Sequence, residues 1–321
     1  KIVVRYAENP LSQSLSGQQP KTTKAESGQL VNKETAADQL GNFETEQLIN
    51  AIARIADLLR KCWGVAGAGI ISSNLARTED GKNAVFNPTV PGKRVYALFG
   101  FVAINDFGKM LHVLEQDTLA LINDVAKVVH DEVFRWALGD SGQCNKNLGG
   151  AFLMVFRIGD FTEVHDRKKR ATDVVFEVKQ RRNVKVRRRG AGKTKGKRDF
   201  GAMDMGNDGT LQLASLPGIQ SFTDRALLGF LKSFAGLNRD YEIQKWRKDF
   251  RLGAGVGAFS VSVMFGMDAG WAVEGAVGSE YKIDATYLSP HVNMASRMMS
   301  ATKQYGVTIL LSHAVEKLLS T

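Results

Sequence analysis

The residues best placed for chemistry lie between positions 266 and 297. They run Gly266-Met267-Asp268-Ala269-Gly270, Gly275-Ala276-Val277-Gly278, Lys282-Ile283-Asp284 and Val292-Asn293-Met294-Ala295-Ser296-Arg297. Asn293 and Arg297 are four apart, so a helix sets both on one face, where they can point into one cleft. An amide and a fixed cation suit two tasks there, positioning a substrate and stabilising charge that develops on it. Taken alone, an Asn and an Arg on a helix are ordinary surface residues. The glycine-rich string before them is what sets this pair apart.

Other chemistries find little support. Cys62 and Cys144 are too few and too scattered for a disulfide framework or a zinc site, and a reducing compartment follows. His112, His130, His165, His291 and His313 show no metal-ligand spacing; His291, beside Asn293, is the one worth testing. Gly190-Ala-Gly-Lys-Thr194 looks like part of a phosphate-binding loop, but that motif needs a glycine five residues before Gly192, where Arg187 stands.

The chain of 321 residues, 44% of them hydrophobic, is long enough for one large domain or two small ones. Its net charge of +10 is local. Residues 166–200 hold 15 Lys+Arg against 4 Asp+Glu, an excess of +11 that leaves about −1 for the rest. No apolar run reaches the roughly 20 residues that a membrane helix needs. The chain opens on Lys1 rather than Met, so a segment is expected upstream, and a membrane anchor there is left open. A cytoplasmic location is expected, either free, as the cytoplasmic part of a membrane protein, or in a ciliary assembly.

The elements that must position the string alternate along the chain. Residues 1–42 are polar and read as a linker or strap. Residues 43–90 read as a helical extension: Leu48, Ile52, Ile55, Leu59 and Cys62 step by four and three along one face. Such a short stripe more often packs on its own domain than forms a dimerising coil. Gly81, Pro88, Pro91 and Gly92 mark a loop over 78–92. Strands are expected over 95–102, 151–156 and 259–264, with 271–277 as the hairpin partner of the last. Helices are expected over 114–136, with Leu114, Leu121, Val125, Val128 and Val129 inward, and over 222–240, with Leu227, Leu228, Leu231 and Phe234 inward. A helix over 292–304, a short strand over 307–311 and a helix over 313–319 close the chain. This interleaving suits an α+β sandwich with helices on one sheet face.

The spacing GxxxGxxxxGxxG followed by Val292-Asn-Met-Ala-Ser-Arg297 resembles the catalytic domain of class III adenylyl/guanylyl cyclases. The wording from Glu280 to Asn293 is most similar to cyclase-domain proteins of single-celled eukaryotes. The resemblance implies an α+β, ferredoxin-like βαββαβ cyclase fold over residues 91–321, interrupted by a basic insert at about 166–220. It covers roughly residues 91–165 and 220–321.

Making a cyclic nucleotide drives the ribose 3′-hydroxyl into the α-phosphorus and expels pyrophosphate, with two metal ions held by carboxylates. The family places those carboxylates in F-x-D-I-x-x-F and G-D-A-F. Here the motifs read Phe101-Val-Ala103-Ile-Asn-Asp-Phe107 and Gly149-Gly150-Ala-Phe152. Ala103 and Gly150 carry no side-chain oxygen, and Asp106 stands at the wrong point of the turn. No metal is therefore expected on this chain alone; Mg²⁺ or Mn²⁺ would need carboxylates from a partner.

The other half of the family's site looks intact. The resemblance gives Asn293 the ribose, Arg297 the reacting phosphate, and Lys146 and Asp284 the base. A cation donating to a ring nitrogen and a carboxylate accepting from an exocyclic amine suit adenine. The stretch from Asp284 to Val292 is two residues longer than in animal enzymes, so Lys282 shares the candidacy. Metal-free domains that keep these residues form one half of animal transmembrane adenylyl cyclases. One departure is that this chain ends before the strands where the family supplies another phosphate-binding lysine.

Three readings stay open: the base-reading half of a heterodimeric adenylyl cyclase acting on ATP, a non-catalytic dimerising or scaffolding relative, and a separate anion-binding role for residues 167–198. That basic run has almost no aromatic residues for base stacking, so it would read charge rather than sequence. A solvated insertion without a ligand is the plainer alternative.

Overall fold

The computed structural model describes residues 45–59, 61–62, 64, 67, 91–136, 142–187, 213–252, 261–279 and 281–320, with side chains omitted over 175–187. The strap over 1–42, most of the loop over 78–92, the insert beyond residue 187 and Phe259-Ser260 lie outside these residues.

Two units divide the chain at Cys62/Trp63. In the first, α1 (residues 45–59) is a helix whose residues up to 58 are exposed, among them Leu48, Ile52 and Ile55. The stripe read from the sequence is present as a stripe. Among the described residues nothing buries it.

The second unit is built on a sheet of order β2-β3-β1-β4-β5, with β6 pairing β4 in parallel. β1 (Lys93–Ile104) runs through the middle and is buried from Val95 onward, which is why its sequence is almost continuously apolar. β2 (Gly142–Leu148) and β3 (Ala151–Asp160) form a hairpin turning at Gly149-Gly150. β4 (Val263–Ser279) and β5 (Lys282–Leu288) form a second, longer one. The order of the first four strands is that of a ferredoxin-like βαββαβ unit, with β5 added at the edge.

α2 (Phe107–Leu114) ends at Glu115, whose φ of 46° takes it out of the helical region. α3 therefore begins at Thr118 and runs to Trp136, and the expected single helix from Leu114 is divided. Its inward residues Leu121, Val125, Val128 and Val129 are those read from the sequence. α4 (Phe161–Arg187) follows β3 directly. α5 (Ile219–Arg239) packs beside α3 and buries Ile219, Thr223, Ala226, Phe230 and Leu237. The expected face was rotated: Leu231 and Phe234 are exposed. Phe230 is the residue the sheet selects, because its ring lies over Gly100, where a Cβ would collide with it. α6 (Tyr241–Arg247) is capped by Asp240, whose side chain accepts from Glu242 N and Ile243 N.

The expected hairpin between 264 and 271 does not form; Gly266 and Gly270 stay inside the long β4. They serve contact instead. α7 (Pro290–Tyr305) lies directly on β4 and β1, and a Cβ on Gly266 would strike the backbone of Ala295 and Met299. A Cβ on Gly270 would strike the ring of His291. Gly266 pairs with Phe101, while Gly100 pairs with Met267, so α7 and α5 occupy opposite faces of the sheet. Helices thus cover both faces, not one. β6 (Ile309–Leu311) and α8 (His313–Glu316) finish the unit.

Two cores result. Met154, Phe156, Phe230 and Phe265 fill the first with α3 and α5, and Ala97, Phe99, Leu153, Tyr287, Ala295 and Met299 fill the second beneath α7.

The basic run starts as helix rather than as irregular insertion. Val164 is buried and the Arg167 guanidinium donates to the Ile158 carbonyl, whereas Thr172, Asp173 and Val174 are all exposed.

Candidate functional site

α7 carries Asn293 and Arg297. Ser289 caps its start, accepting from His291 N, and Pro290 occupies the first turn, where its missing N–H costs nothing. Gly306, with φ 64°, ends it. Ala295, Met299 and Thr302 are buried against the sheet, while Asn293 and Arg297 are exposed on the opposite side of the helix. The pair therefore shares one outward stripe and points away from its own sheet.

Lys146 is half-buried on β2, just after a bulge, and pairs with Leu153. Leu153 belongs to the core beneath α7, so Lys146 lies on the same sheet side as α7. Neighbouring Cys144 donates weakly to Asn147 Oδ1 at 3.3 Å, and burial pushes its thiol up to about 12, which removes it as a nucleophile at neutral pH.

Asp284 and Lys282 are placed differently. Asp284 pairs with Val277, and its neighbour Ala285 is the one buried beneath α7. The alternation of a strand puts Asp284 on the other face. There it forms an exposed ion pair with Lys282 at 3.7 Å. The structure brings these two to each other, but not to the side of Lys146 and α7.

At the two positions where the resemblance expects carboxylates, the surroundings are closed. Ala103 lies in the buried part of β1, one residue before its end, opposite Ala151 and Met264. Gly150 is buried, and a Cβ on it would fall inside the ring of Phe107. Asp106 has φ 51° and is held by Lys303 at 3.3 Å and Lys109 at 3.9 Å. These residues do not fit a divalent cation: two have no ligand atom, and the third is taken by lysines.

One charged residue in the string escaped the sequence reading. Asp268 is buried on β4 between Gly266 and Gly270. Its Oδ2 lies 2.9 Å from His291 Nδ1, and its Oδ1 accepts from Ser312 Oγ at the start of α8. Burial alone would raise this carboxyl, but the bonds from His291, Ser312 and Ala269 N outweigh it and hold it below the usual carboxylate range. An ionised carboxylate only accepts, so His291 Nδ1 carries the proton. The spacing signalled it: an aspartate midway between glycines four apart shares their strand face, beneath whatever packs there.

A second polar group lies under the same helix face. Arg157 Nε donates to Glu274 Oε2 at 3.3 Å, and the Tyr287 hydroxyl donates to Glu274 Oε1 at 3.0 Å. Burial and the Glu274 charge together push the Tyr287 phenol above its ordinary value.

Comparison with known proteins adds three observations. The family profile described as the RasGEFs all helical domain matches residues 1–76, the stretch read as strap and helical extension. A 60-residue stretch is 43% identical to an adenylate cyclase of Anabaena cylindrica, covering 19% of this chain and 12% of that protein. The chain thus matches a small part of that relative's length. Among solved structures, a bacterial light-regulated adenylyl cyclase is similar at TM-score 0.48 and 16% identity, over 88% of this chain and 59% of that one. The adenylyl cyclase CyaB from P. aeruginosa is similar at TM-score 0.43 and 16% identity, over 71% and 82%. A dimeric guanylyl cyclase domain from the aquatic fungus Blastocladiella emersonii is similar at 0.37 and 14%, over 70% and 84%. The sheet order, the Asn-Arg string on the helix across β4 and the 60-residue match make this chain similar to adenylyl/guanylyl cyclase domains.

Proposed function

We propose that this domain is the metal-free half of a nucleotidyl cyclase pair in cyclic-nucleotide signalling, turning ATP into cyclic AMP and pyrophosphate only beside a partner that supplies the metal carboxylates. The observation that supports this most is a contrast within one chain. Ala103 and Gly150 offer no ligand and Phe107 fills the space beyond Gly150, while Asn293 and Arg297 stand intact on the outward face of α7. A site that faces outward suits completion by a second cyclase-type domain.

Within such a pair Asn293 would hold the ribose and Arg297 would stabilise charge on the α-phosphate. Lys146 would donate to a ring nitrogen of the base. Mg²⁺ or Mn²⁺, bound by the partner, would activate the 3′-hydroxyl and hold the triphosphate. The test is to mix the full chain with a cyclase-type domain that keeps both aspartates and to measure cyclic AMP. Turnover above that of the partner alone, lost in Asn293→Ala, supports the reading. A mixture no more active than the partner alone refutes it.

A second reading is favoured by α1. Leu48, Ile52 and Ile55 are exposed on one stripe, which fits a dimerising or scaffolding pseudo-cyclase. In either case α4 presents Lys169 and Arg170 on its early turns, which suits contact with an anionic surface.

A further inference from the structure

We propose that Asp268 is the positioning residue that sets where Asn293 and Arg297 stand. The role rests on the reading of those two residues given above. α7 follows β5 through Ser289 alone and meets β4 at bare backbone at Gly266 and at Gly270. The apolar contacts of Ala295 and Met299 around that backbone are non-directional, whereas a hydrogen bond fixes direction.

Asp268 supplies the direction. It sits on the same strand face, between the two glycines, and is 3% exposed. One oxygen accepts a hydrogen bond from His291 Nδ1, two residues before Asn293. The other takes the hydroxyl of Ser312, which also accepts from Val315 N as the cap of α8. Ser289 completes the clasp, donating to Trp271 O and accepting from His291 N. One buried carboxylate thus ties the first turn of α7 and the first turn of α8 to β4. Asn293 closes that first turn and Arg297 lies one turn further along a helix whose origin is fixed in this way. A displacement of about 1 Å in such a group can cost around a hundredfold in rate.

The test uses the full chain and follows two readouts. The first is amide hydrogen exchange at residues 294–297. The second is kcat and KM for ATP in the mixture with a metal-bearing cyclase-type domain. Asp268→Ala is expected to speed exchange at 294–297 at least tenfold and to lower kcat at least tenfold, with KM within threefold. Asp268→Asn is expected to rescue both, since its carbonyl can accept from His291 and its amide can donate to Ser312 Oγ. Ser312→Ala, which removes one bond only, serves if Asp268→Ala does not fold, with the same directions and smaller size. Unchanged exchange and kcat in the Ala variant overturn the proposal, as does an Asn variant as impaired as Ala. If the wild-type mixture makes no product while exchange at 294–297 still rises in Asp268→Ala, the nucleotide reading fails and the positioning role stands.

Discussion

The ring of Phe107 occupies the volume that a side chain on Gly150 would need. Phe107 opens α2, directly after the turn at Asn105-Asp106, and Gly150 closes the β2–β3 turn. The end of β1 that leads into α2 is tied to the same turn by the hydrogen bond from Ile104 N to Gly150 O at 2.8 Å. The absence of a side chain at Gly150 and the aromatic ring beside it are one packing arrangement.

Placing an aspartate at position 150 should therefore be resisted by the core. Gly150→Asp is expected to cost roughly 1–3 kcal/mol through overpacking. Phe107→Ala relieves the collision, so the two substitutions should couple by more than about 0.5 kcal/mol in a double-mutant cycle. Thermal or denaturant melts of the four proteins measure this. Strict additivity would mean that the ring is not in the way.

Gly266 should be far less tolerant than Gly108. A Cβ at Gly266 meets the backbone of Ala295 and Met299, which cannot rotate aside. At Gly108, within α2, nothing lies within 4 Å. Gly266→Ala is expected to lower Tm by many degrees and to expose Met299. Gly108→Ala should be neutral or stabilising by about 0.5–1 kcal/mol, as in other exposed helical positions. Equal effects at both sites would show that α7 does not rest on the strand backbone.

The Asp268 carboxyl makes an acid-side contribution with a definite sign. Its folded pKa is depressed, so its stabilisation is present above the ordinary aspartate value of 3.8 and is lost as pH falls through the lower folded value. Asp268→Asn should therefore flatten the fall of stability below about pH 4, while changing it little in shape above pH 5. Denaturant melts across that range decide it. An unchanged acid limb would mean that the carboxyl titrates as an unpaired group.

How much of this was legible in the sequence follows from the kind of signal each feature leaves. β1 and the inward face of α3 were readable because continuous apolar runs and 3.6-residue periodicity report burial directly. The inward face of α5 was not: Leu231 and Phe234 are apolar yet exposed, and the buried face uses Thr223, Ala226 and Ser233. There the neighbour across the sheet, Gly100 beneath Phe230, chose the face. Gly270 looked like a turn because glycine serves both turns and close contacts, and only the helix above β4 separates the two. The placement of Asp284 depended on strand register, which one residue of slip reverses. Nothing in composition marks that slip.

The basic segment should divide at the point where packing ends. Val164 and Arg167 contact the sheet, whereas residues 172–174 are exposed. Deleting residues 175–200 is expected to shift Tm by no more than about 2 °C and to weaken binding to an anionic surface, with binding in the intact chain falling steeply with salt. Binding that survives the deletion, or that ignores salt, would place the anionic contact elsewhere.

The central claim, that this domain cannot complete a cyclase site alone, is tested most directly by assaying the pure chain with Mn²⁺ and ATP for cyclic AMP. The account predicts no product above the level of Arg297→Ala. Cyclic AMP formed by the pure chain and abolished by Arg297→Ala would contradict it.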